Sequence, residues 1–363
     1  MTTTPLPTIT GREPRLAYKK GHYRLSLRGL GTMLNILPPQ AISLDAAEAA
    51  LRNKDFYVRY NAARLLRRRG DRDARVIMED ALMNGEAPTR ASVARELYGF
   101  SWYSAEPLLK QALKDEDVRV HECAVYALCD LRELRGYQLL VEVLPQENDH
   151  VKAAAAWGLH NCQDQEAVPV LQVALTATDP DVRVKVLEAL GANDTPEALP
   201  VVRGALDDPE PDVQYAATLS LVELQSEAGF LEIARLIENA AGSKRQQILR
   251  GFFHATNYLL LDVAATPTAD IVLDALEQAL RDPIPEARLA AIWPLAWIRH
   301  PRAPYILKHA YDVEQNSENK GRIVKIAYNL MSEVREEILL EASQSSDEAV
   351  KEAAEQIRIM REG

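Results

Sequence analysis

The residues of this chain best suited to a chemical task are arginines, tyrosines and tryptophans that recur at a fixed interval. Arg64, Arg95, Tyr126 and Trp157 follow one another at steps of 31 residues. Guanidinium groups bind carboxylates and phosphates through paired hydrogen bonds, and aromatic rings add contact area with a polar edge. Such side chains carry much of the binding energy at protein interfaces. The spacing therefore favours recognition of a partner over the making of bonds.

The sequence carries no motif that is specific for a known type of catalysis. It contains no glycine-rich phosphate loop, no Gly-x-Ser-x-Gly elbow and no His-Glu-x-x-His pattern. Its three cysteines, Cys123, Cys129 and Cys162, form no Cys-x-x-Cys pair, so neither a disulfide framework nor a thiolate zinc site is predicted. We expect no catalytic residue, no metal and no cofactor. A non-enzymatic protein is favoured, although an enzymatic role stays open.

The 31-residue interval belongs to an internal repeat. Anchor residues in register are Val58, Thr89, Val120, Val151, Val182, Val213 and Lys244, and an eighth unit fits at Ala287. Leucine, or once isoleucine, stands seven residues before each of the first seven anchors, and leucine or phenylalanine stands eight residues after. Two apolar columns of this kind predict two helices per unit, each burying one stripe against its neighbours.

The segment DPDVRVKVLEALG at residues 179–191, with its Ala and Leu spacing, resembles the HEAT repeat in the short form also found in phycobilisome lyases. The resemblance covers roughly residues 41–360. It implies an all-α fold, a right-handed α-α superhelix of about ten two-helix repeats. We expect residues 1–40 to form a basic N-terminal tail and capping segment, and residues 41–363 to form the solenoid, with an insertion around 253–272.

Deoxyhypusine hydroxylases are HEAT-repeat enzymes that bind two irons through several His-Glu pairs, so His121 followed by Glu122 tests that resemblance. No other repeat offers such a pair at these positions, and the ligands of a di-iron centre cannot be collected. His121 instead belongs to a column one residue after the anchors: Arg59, Arg90, His121, Lys152, Arg183, Gln214, Arg245 and Arg288. We interpret this column as structural, bridging the turns of adjacent repeats, and we expect acidic residues three positions before the anchors to pair with it. The Asp, Pro and Glu clusters before the anchors are also expected to supply the turn and the cap of the second helix.

In HEAT-like solenoids the second helix of each unit usually lines the concave surface. Because a helix turns by about 100° per residue, anchor positions +2 and +6 lie opposite the buried stripe. The predicted groove residues are Tyr60, Arg64, Arg95, Tyr126, Trp157, Glu188, Tyr215, Leu219, Arg250 and Trp293. The alternative is that Trp157 and Trp293 pack between hairpins as part of the core.

The repeat is interrupted once. The interval from Lys244 to Ala287 is 43 residues, twelve more than the period. Insertions in repeat arrays often carry specificity. We predict contact residues in the surplus: Phe253, His254, Asn257 and Tyr258. The alternative is a longer helix in which residues 259–261 cover the core.

Charge is distributed unevenly along the chain. Residues 1–75 hold fifteen basic and six acidic side chains, a balance of +9, whereas the whole chain carries -11. A basic patch at Arg67, Arg68 and Arg69 could receive an acidic partner at the N-terminal end or could be a solvated cap. The acidic remainder makes a general nucleic-acid binder improbable.

We therefore predict a protein- or peptide-binding scaffold, adaptor or assembly factor that uses its concave groove. One alternative follows from the resemblance to phycobilisome lyases: a subunit that holds a linear tetrapyrrole and its acceptor protein. A second is a HEAT-like DNA-binding protein or DNA glycosylase relative, for which Glu188 would be the groove carboxylate. The sequence shows no membrane span and no secretory signal, and a cytoplasmic location is expected.

Overall fold

The computed structural model describes residues 15–18, 21–24, 34–36, 38–160, 162–193, 195–224, 227–258, 263, 266–330 and 332–362, with the backbone alone for 15–18, 21–24, 257–258 and 361–362. Strands β1 (Arg15–Tyr18) and β2 (Gly21–Arg24) form an antiparallel hairpin in which Arg15 pairs with Arg24. This hairpin was not predicted from the sequence. Of the rest of the predicted tail and capping segment, only residues 34–36 and 38–40 are described.

Beyond the hairpin the described chain is helical, and its helices alternate between a first and a second helix of each repeat. The first helices are α1 (Leu44–Leu51), α3 (Arg72–Asn84), α5 (Trp102–Ala112), α7 (Leu134–Val143), α9 (Val168–Ala174), α11 (Ala198–Gly204), α13 (Glu227–Asn239), α15 (Ala269–Ala279), α17 (Ala303–Val313) and α19 (Glu333–Ser343). The second helices are α2 (Phe56–Arg69), α4 (Ala87–Arg95), α6 (Val118–Leu131), α8 (Asp149–Leu159), α10 (Pro180–Gly191), α12 (Pro211–Glu223), α14 (Gly242–Tyr258), α16 (Pro285–Trp297), α18 (Ser317–Ala327) and α20 (Glu348–Glu362). These ten pairs confirm the predicted all-α solenoid of two-helix repeats.

The core follows the two apolar columns. The residues eight positions after the anchors, from Leu66 through Leu159 to Leu295, are at most 1% exposed. The anchors themselves are buried with one exception, Lys244, which is exposed and donates to Asp207 at 2.8 Å. In that repeat the neighbouring Arg245 is buried in its place. The period therefore predicted the buried stripe correctly at the other anchors and at every residue eight positions after an anchor.

The column one residue after the anchors is structural, as the sequence analysis proposed, but its partners differ from those expected. Four of its arginines reach a carboxylate in the turn of the following repeat, with N–O distances of 2.7–2.9 Å: Arg90 to Asp115, Arg183 to Asp208, Arg245 to Asp282 and Arg288 to Glu314. His121 follows the same rule, since its Nδ1 lies 3.1 Å from Glu147 and its Nε2 lies 2.6 Å from the Asp115 carbonyl oxygen. Arg59 instead donates to the carbonyl oxygens of Asn53 and Lys54 in its own repeat. The column ties consecutive turns together.

The aspartates three positions before the anchors cap the second helices, as expected, and Asp55 and Asp117 do not also pair with the described residues of the basic column. Glu86 and Glu210 at the same position make no side-chain cap hydrogen bond. The Asp55 carboxylate accepts hydrogen bonds from the amides of Tyr57 and Val58, and the Asp179 carboxylate accepts from the amide of Asp181. Capping satisfies amides at the helix start that have no partner within the helix. The two columns are therefore separate devices.

Asp117 is the cap of α6, and its carboxylate is held in the ionised form. Its Oδ2 lies 2.6 Å from Arg119 Nη2, and its Oδ1 accepts from the Arg119 amide at 3.0 Å. The Arg119 guanidinium, with further help from that amide, lowers the pKa of Asp117 from 3.8 to about 2.

Because the pKa of Asp117 is lower in the folded than in the unfolded chain, this carboxylate stabilises the fold above a pH of about 4 and stops doing so as the pH falls towards about 2. We expect the difference in unfolding free energy between the wild type and Asp117→Asn to shrink between about pH 5 and pH 2.5, as measured by urea denaturation. The difference in unfolding free energy between the wild type and Arg119→Ala should also shrink over this pH range, but by less, because Asp117 keeps the hydrogen bond from the backbone amide. A difference that stays constant or grows on acidification would contradict the assignment.

The described residues divide into two compact units. Unit 1 runs to Leu159 and includes Pro169–Ala177, and unit 2 comprises His160–Val168 and Thr178 onwards. The prediction of a single array did not contain this division. No helix in the described part of the chain is long and apolar enough to cross a membrane.

Candidate functional site

In unit 1 the second helices α2, α4, α6 and α8 lie side by side and leave one side chain row outside the core. We call this row the arginine–tyrosine face and define it as Tyr60, Arg64, Arg67, Arg95, Tyr98, Tyr126 and Trp157. Its first six members are partly exposed, whereas Trp157 is 61% exposed. The periodicity placed these residues outside the stripe because they lie about half a helical turn from the anchors and the +8 column.

Arg67 is fixed by a carboxylate beneath the face. Its Nε donates to Glu96 Oε2 at 2.5 Å, and Glu96 is 0% exposed. The guanidinium lies over the Tyr98 ring at 4.6 Å from the centroid. Gly99 makes this approach feasible, since a Cβ there would lie 2.2 Å from Arg67 Cδ. Arg67 is therefore a fixed cation that is paired with a buried carboxylate. Water could take the place of Glu96 only if the core opened.

Arg95 is held between two rings and a carboxylate. Its guanidinium lies 5.6 Å from the centroid of Tyr98 and 5.4 Å from that of Tyr126, within the range of cation–π attraction. Its Nη1 lies 2.7 Å from Asp130 Oδ2. Burial acts to lower the pKa of Arg95, but Asp130 outweighs it and the net shift is upward. Arg95 therefore stays protonated, and the carboxylate of Asp130 balances its charge.

Arg64 differs from its two neighbours. Within the described residues its guanidinium has no ion-pair or hydrogen-bond partner, and its Nε is buried without an acceptor. Tyr60 lies one turn earlier on α2. Burial raises the pKa of Tyr60, as does Glu96, while Arg95 and Arg64 act to lower it, so these groups lie within electrostatic range of one another. The face therefore contains one unpaired cation among fixed arginines and tyrosines.

Trp157 stands at the other end of the face. Its neighbour Gly158 packs so closely on α6 that a Cβ at that position would lie 2.9 Å from Cys129 Sγ and 3.4 Å from Tyr126 Cδ1. Trp157 occupies on α8 the repeat position that Tyr126 occupies on α6, and its 61% exposure shows that the indole is not core. The alternative that Trp157 fills the space between hairpins is wrong.

The predicted basic patch is mostly engaged in structural contacts. Arg67 belongs to the arginine–tyrosine face, as described above. Arg68 Nη1 donates to the carbonyl of Asn35 at 2.7 Å, and Arg69 Nη1 donates to that of Ile42 at 3.1 Å while its Nε reaches Asp71. These arginines hold the chain before α1 against the end of α2.

Unit 2 has an acidic cleft on its second helices. An open cleft of about 800 Å³ between α10 and α12 is lined by four carboxylates together with apolar side chains and Tyr215. The carboxylates are those of Asp181, Glu188, Asp212 and Glu223. Burial, and then the charge of Glu188, raises the pKa of Glu223. An acidic cleft repels a phosphate backbone, so the position of Glu188 does not favour the DNA-glycosylase alternative.

The remaining predicted groove residues of unit 2 form ring contacts near the insertion. Tyr215 meets His254 edge to face at 6.1 Å, and Phe253 lies 5.6 Å from Trp293. Trp293 is only partly exposed, whereas Arg250 is exposed and Leu219 lines the cleft. Residues Phe253 and His254 thus contact the predicted column and not a separate loop.

The insertion itself lengthens a helix. Helix α14 has 17 residues, compared with 13 in α12. This agrees with the alternative of a longer helix as far as residue 258. The side chains of Asn257 and Tyr258 and the predicted cover at residues 259–261 lie outside what the structure describes.

Sequence reasoning missed four residues of these sites. Glu96, Tyr98 and Asp130 complete the arginine–tyrosine face, and Glu223 completes the acidic cleft. Tyr98 lies nine residues after its anchor, the position at which Arg67 was singled out, and Asp130 lies ten residues after its anchor, beyond the columns that were considered. The available signal was charge: Glu96 and Asp130 each lie close in sequence to a row position, and each has the opposite sign to the arginine it meets.

No group of three or more His, Cys, Asp and Glu side chains in the described residues is arranged to hold a metal ion. His121 in particular is committed to Glu147 and to a backbone carbonyl.

Comparison with known proteins supports the repeat. Residues 79–159 and 137–222 match the family model of HEAT repeats. No curated protein matches the chain. Human deoxyhypusine hydroxylase is similar at 17% identity and a TM-score of 0.30, with 92% of this chain and 99% of that chain covered. The CpcE–CpcF complex of phycocyanin lyase from Nostoc sp. PCC7120 is similar at 20% identity and a TM-score of 0.29, with 80% and 93% covered.

The karyopherin Kap121p is similar at 15% identity and a TM-score of 0.43, with 92% of this chain but 43% of that chain covered. At such identities the likenesses concern the fold alone.

Proposed function

We propose that this HEAT-repeat protein, an all-α solenoid in its described part, binds a protein or peptide segment on the exposed side of its second helices. It would act as a scaffold, adaptor or assembly factor and would perform no chemistry itself. The arginine–tyrosine face of unit 1 is the surface best suited to this role, and the proposal does not need a cofactor.

The observation that carries the proposal is the exposed Trp157 in the same row as rings and guanidinium groups that are already fixed. Exposing an indole in water forgoes the burial of a large apolar area, which a bound partner would recover. Arg67 and Arg95 are held by Glu96 and Asp130, so a partner would not have to pay the entropy of ordering them. A large exposed ring next to a preorganised surface is typical of an interface hot spot.

Trp157→Ala tests the proposal. Random twelve-residue peptides displayed on phage are selected on the wild-type protein, and the enriched peptides are synthesised and titrated by fluorescence anisotropy. We expect binding to weaken about tenfold or more in Trp157→Ala, because a hot-spot tryptophan contributes about 2 kcal/mol or more. The melting temperature should change little, since the indole is 61% exposed.

The matched control is Trp297→Ala, which removes an exposed indole that lies outside the row. It should bind the selected peptides like the wild type. A selection that enriches no peptide, or peptides that bind Trp157→Ala as tightly as the wild type, would count against the proposal.

A further inference from the structure

We infer that the arginine–tyrosine face takes an acidic peptide segment, and that Arg64 binds its carboxylate. This inference rests on the proposed function and specifies the chemistry of its partner. It starts from the three arginines of the face, Arg64, Arg67 and Arg95, which differ in how their charges are balanced.

The charges of Arg67 and Arg95 are already balanced. Glu96, which is 0% exposed, accepts from Arg67, and Asp130 lies 2.7 Å from Arg95. A ligand carboxylate would gain little from two guanidinium groups that each hold a carboxylate of their own. Their planes lie against Tyr98 and Tyr126, so they serve as stacking surfaces.

Arg64 has its charge available. No described acidic residue pairs with it, and its buried Nε lacks an acceptor. Because Nε is buried, a ligand would meet the two terminal amino groups of Arg64, whose side chain is partly exposed. A carboxylate suits this position, because a guanidinium presents two parallel N–H groups that match its two oxygens.

The rings around Arg64 add a second requirement. Tyr60, one turn before it on α2, stacks with Phe56 at 6.0 Å, and Phe56 is 65% exposed. At the other end of the face lies Trp157. A segment that places an acidic side chain at Arg64 would set neighbouring aromatic or aliphatic side chains against these rings. The partner chemistry is therefore an acidic peptide with interspersed apolar residues.

The probe for the test is a fluorescein-labelled nonapeptide with the sequence Glu-Tyr-Gly repeated three times. The counterpart carries Lys in place of Glu. Fluorescence anisotropy is recorded with the full-length protein. We expect the acidic probe to bind and the basic probe to bind at least tenfold more weakly to this face, with the affinity for the acidic probe falling as salt screens the contact. The basic peptide, without a label, is also titrated into the complex of the protein with the labelled acidic probe. Displacement of the acidic probe reports competition at the face, whereas binding of the basic peptide at the acidic cleft does not displace it.

Arg64→Gln should weaken the acidic probe about tenfold or more, because it removes one member of a charge-assisted pair. Arg64→Lys should restore part of the affinity, since it keeps the charge but loses the paired donors. Arg72→Gln is the matched control: it removes the same charge from an exposed residue of α3 outside the face and should leave binding unchanged.

The inference is overturned if the wild type does not bind the acidic probe, if Arg64→Gln binds it like the wild type, or if the basic probe competes for the face equally well. The proposed function can survive that failure. Phage-selected peptides that need Trp157 but not Arg64 would leave the binding surface in place and remove only the acidic partner. A selection that yields no peptide would remove the proposed function itself.

Discussion

Replacing Asp282 by alanine destabilises unit 2 by about 3–5 kcal/mol, because it leaves a buried guanidinium without its counter-charge. Arg245 and Asp282 are 7% and 2% exposed and lie 2.8 Å apart. The same carboxylate also accepts from the amides of Gly242 and Ile284. Arg245 further donates to the carbonyls of Ile237 and Glu238, which holds it in place once Asp282 is gone.

The measurement is hydrogen exchange by mass spectrometry on peptides from α13 to α16, together with the urea midpoint. Exchange is preferred because a chain with two compact units need not unfold in one step. The control is Asp270→Ala, which removes a carboxylate that pairs with Arg302 at 2.7 Å in an exposed setting. Its cost should stay below about 1 kcal/mol. If Asp282→Ala and Asp270→Ala cost the same free energy of unfolding, the burial of the Arg245–Asp282 pair would contribute nothing to stability.

Phe252→Ala is expected to cost about 3–5 kcal/mol, the usual result of emptying a buried aromatic site. Phe252 is 0% exposed and occupies the position that leucine fills in the other repeats. The neighbours of a phenyl ring in a helical layer can close only part of the space that it leaves.

Phe253→Ala provides the comparison, since it removes the same side chain one residue later on α14. Phe253 is partly exposed and meets Trp293 at 5.6 Å. Losing one aromatic pair and part of its burial should cost about 1–2 kcal/mol. Thermal and urea denaturation of both variants show which one loses more stability. A larger loss for Phe253→Ala would contradict the assignment of Phe252, and not Phe253, to the core side of α14.

Much of the candidate site was predictable because the repeat fixes which side of each helix is buried. Leu66 and Leu97 marked the core, and Arg64 and Arg95 were therefore expected on the other side, where the structure places them. Which charged side chains pair with one another could not be predicted from the columns of the repeat. Asp55 caps α2, as expected, but it does not also pair with the basic column.

The sequence by itself determined the all-α repeat, its period and the rows of side chains left outside the core, since these follow from the spacing of apolar residues along each helix. Tertiary structure alone decided which charges of a row are already satisfied. Arg67 meets Glu96 from 29 residues away and Arg95 meets Asp130 from 35 residues away, whereas Arg64 meets no described acidic group. Such pairings depend on distances between helices of different repeats, which no local pattern encodes.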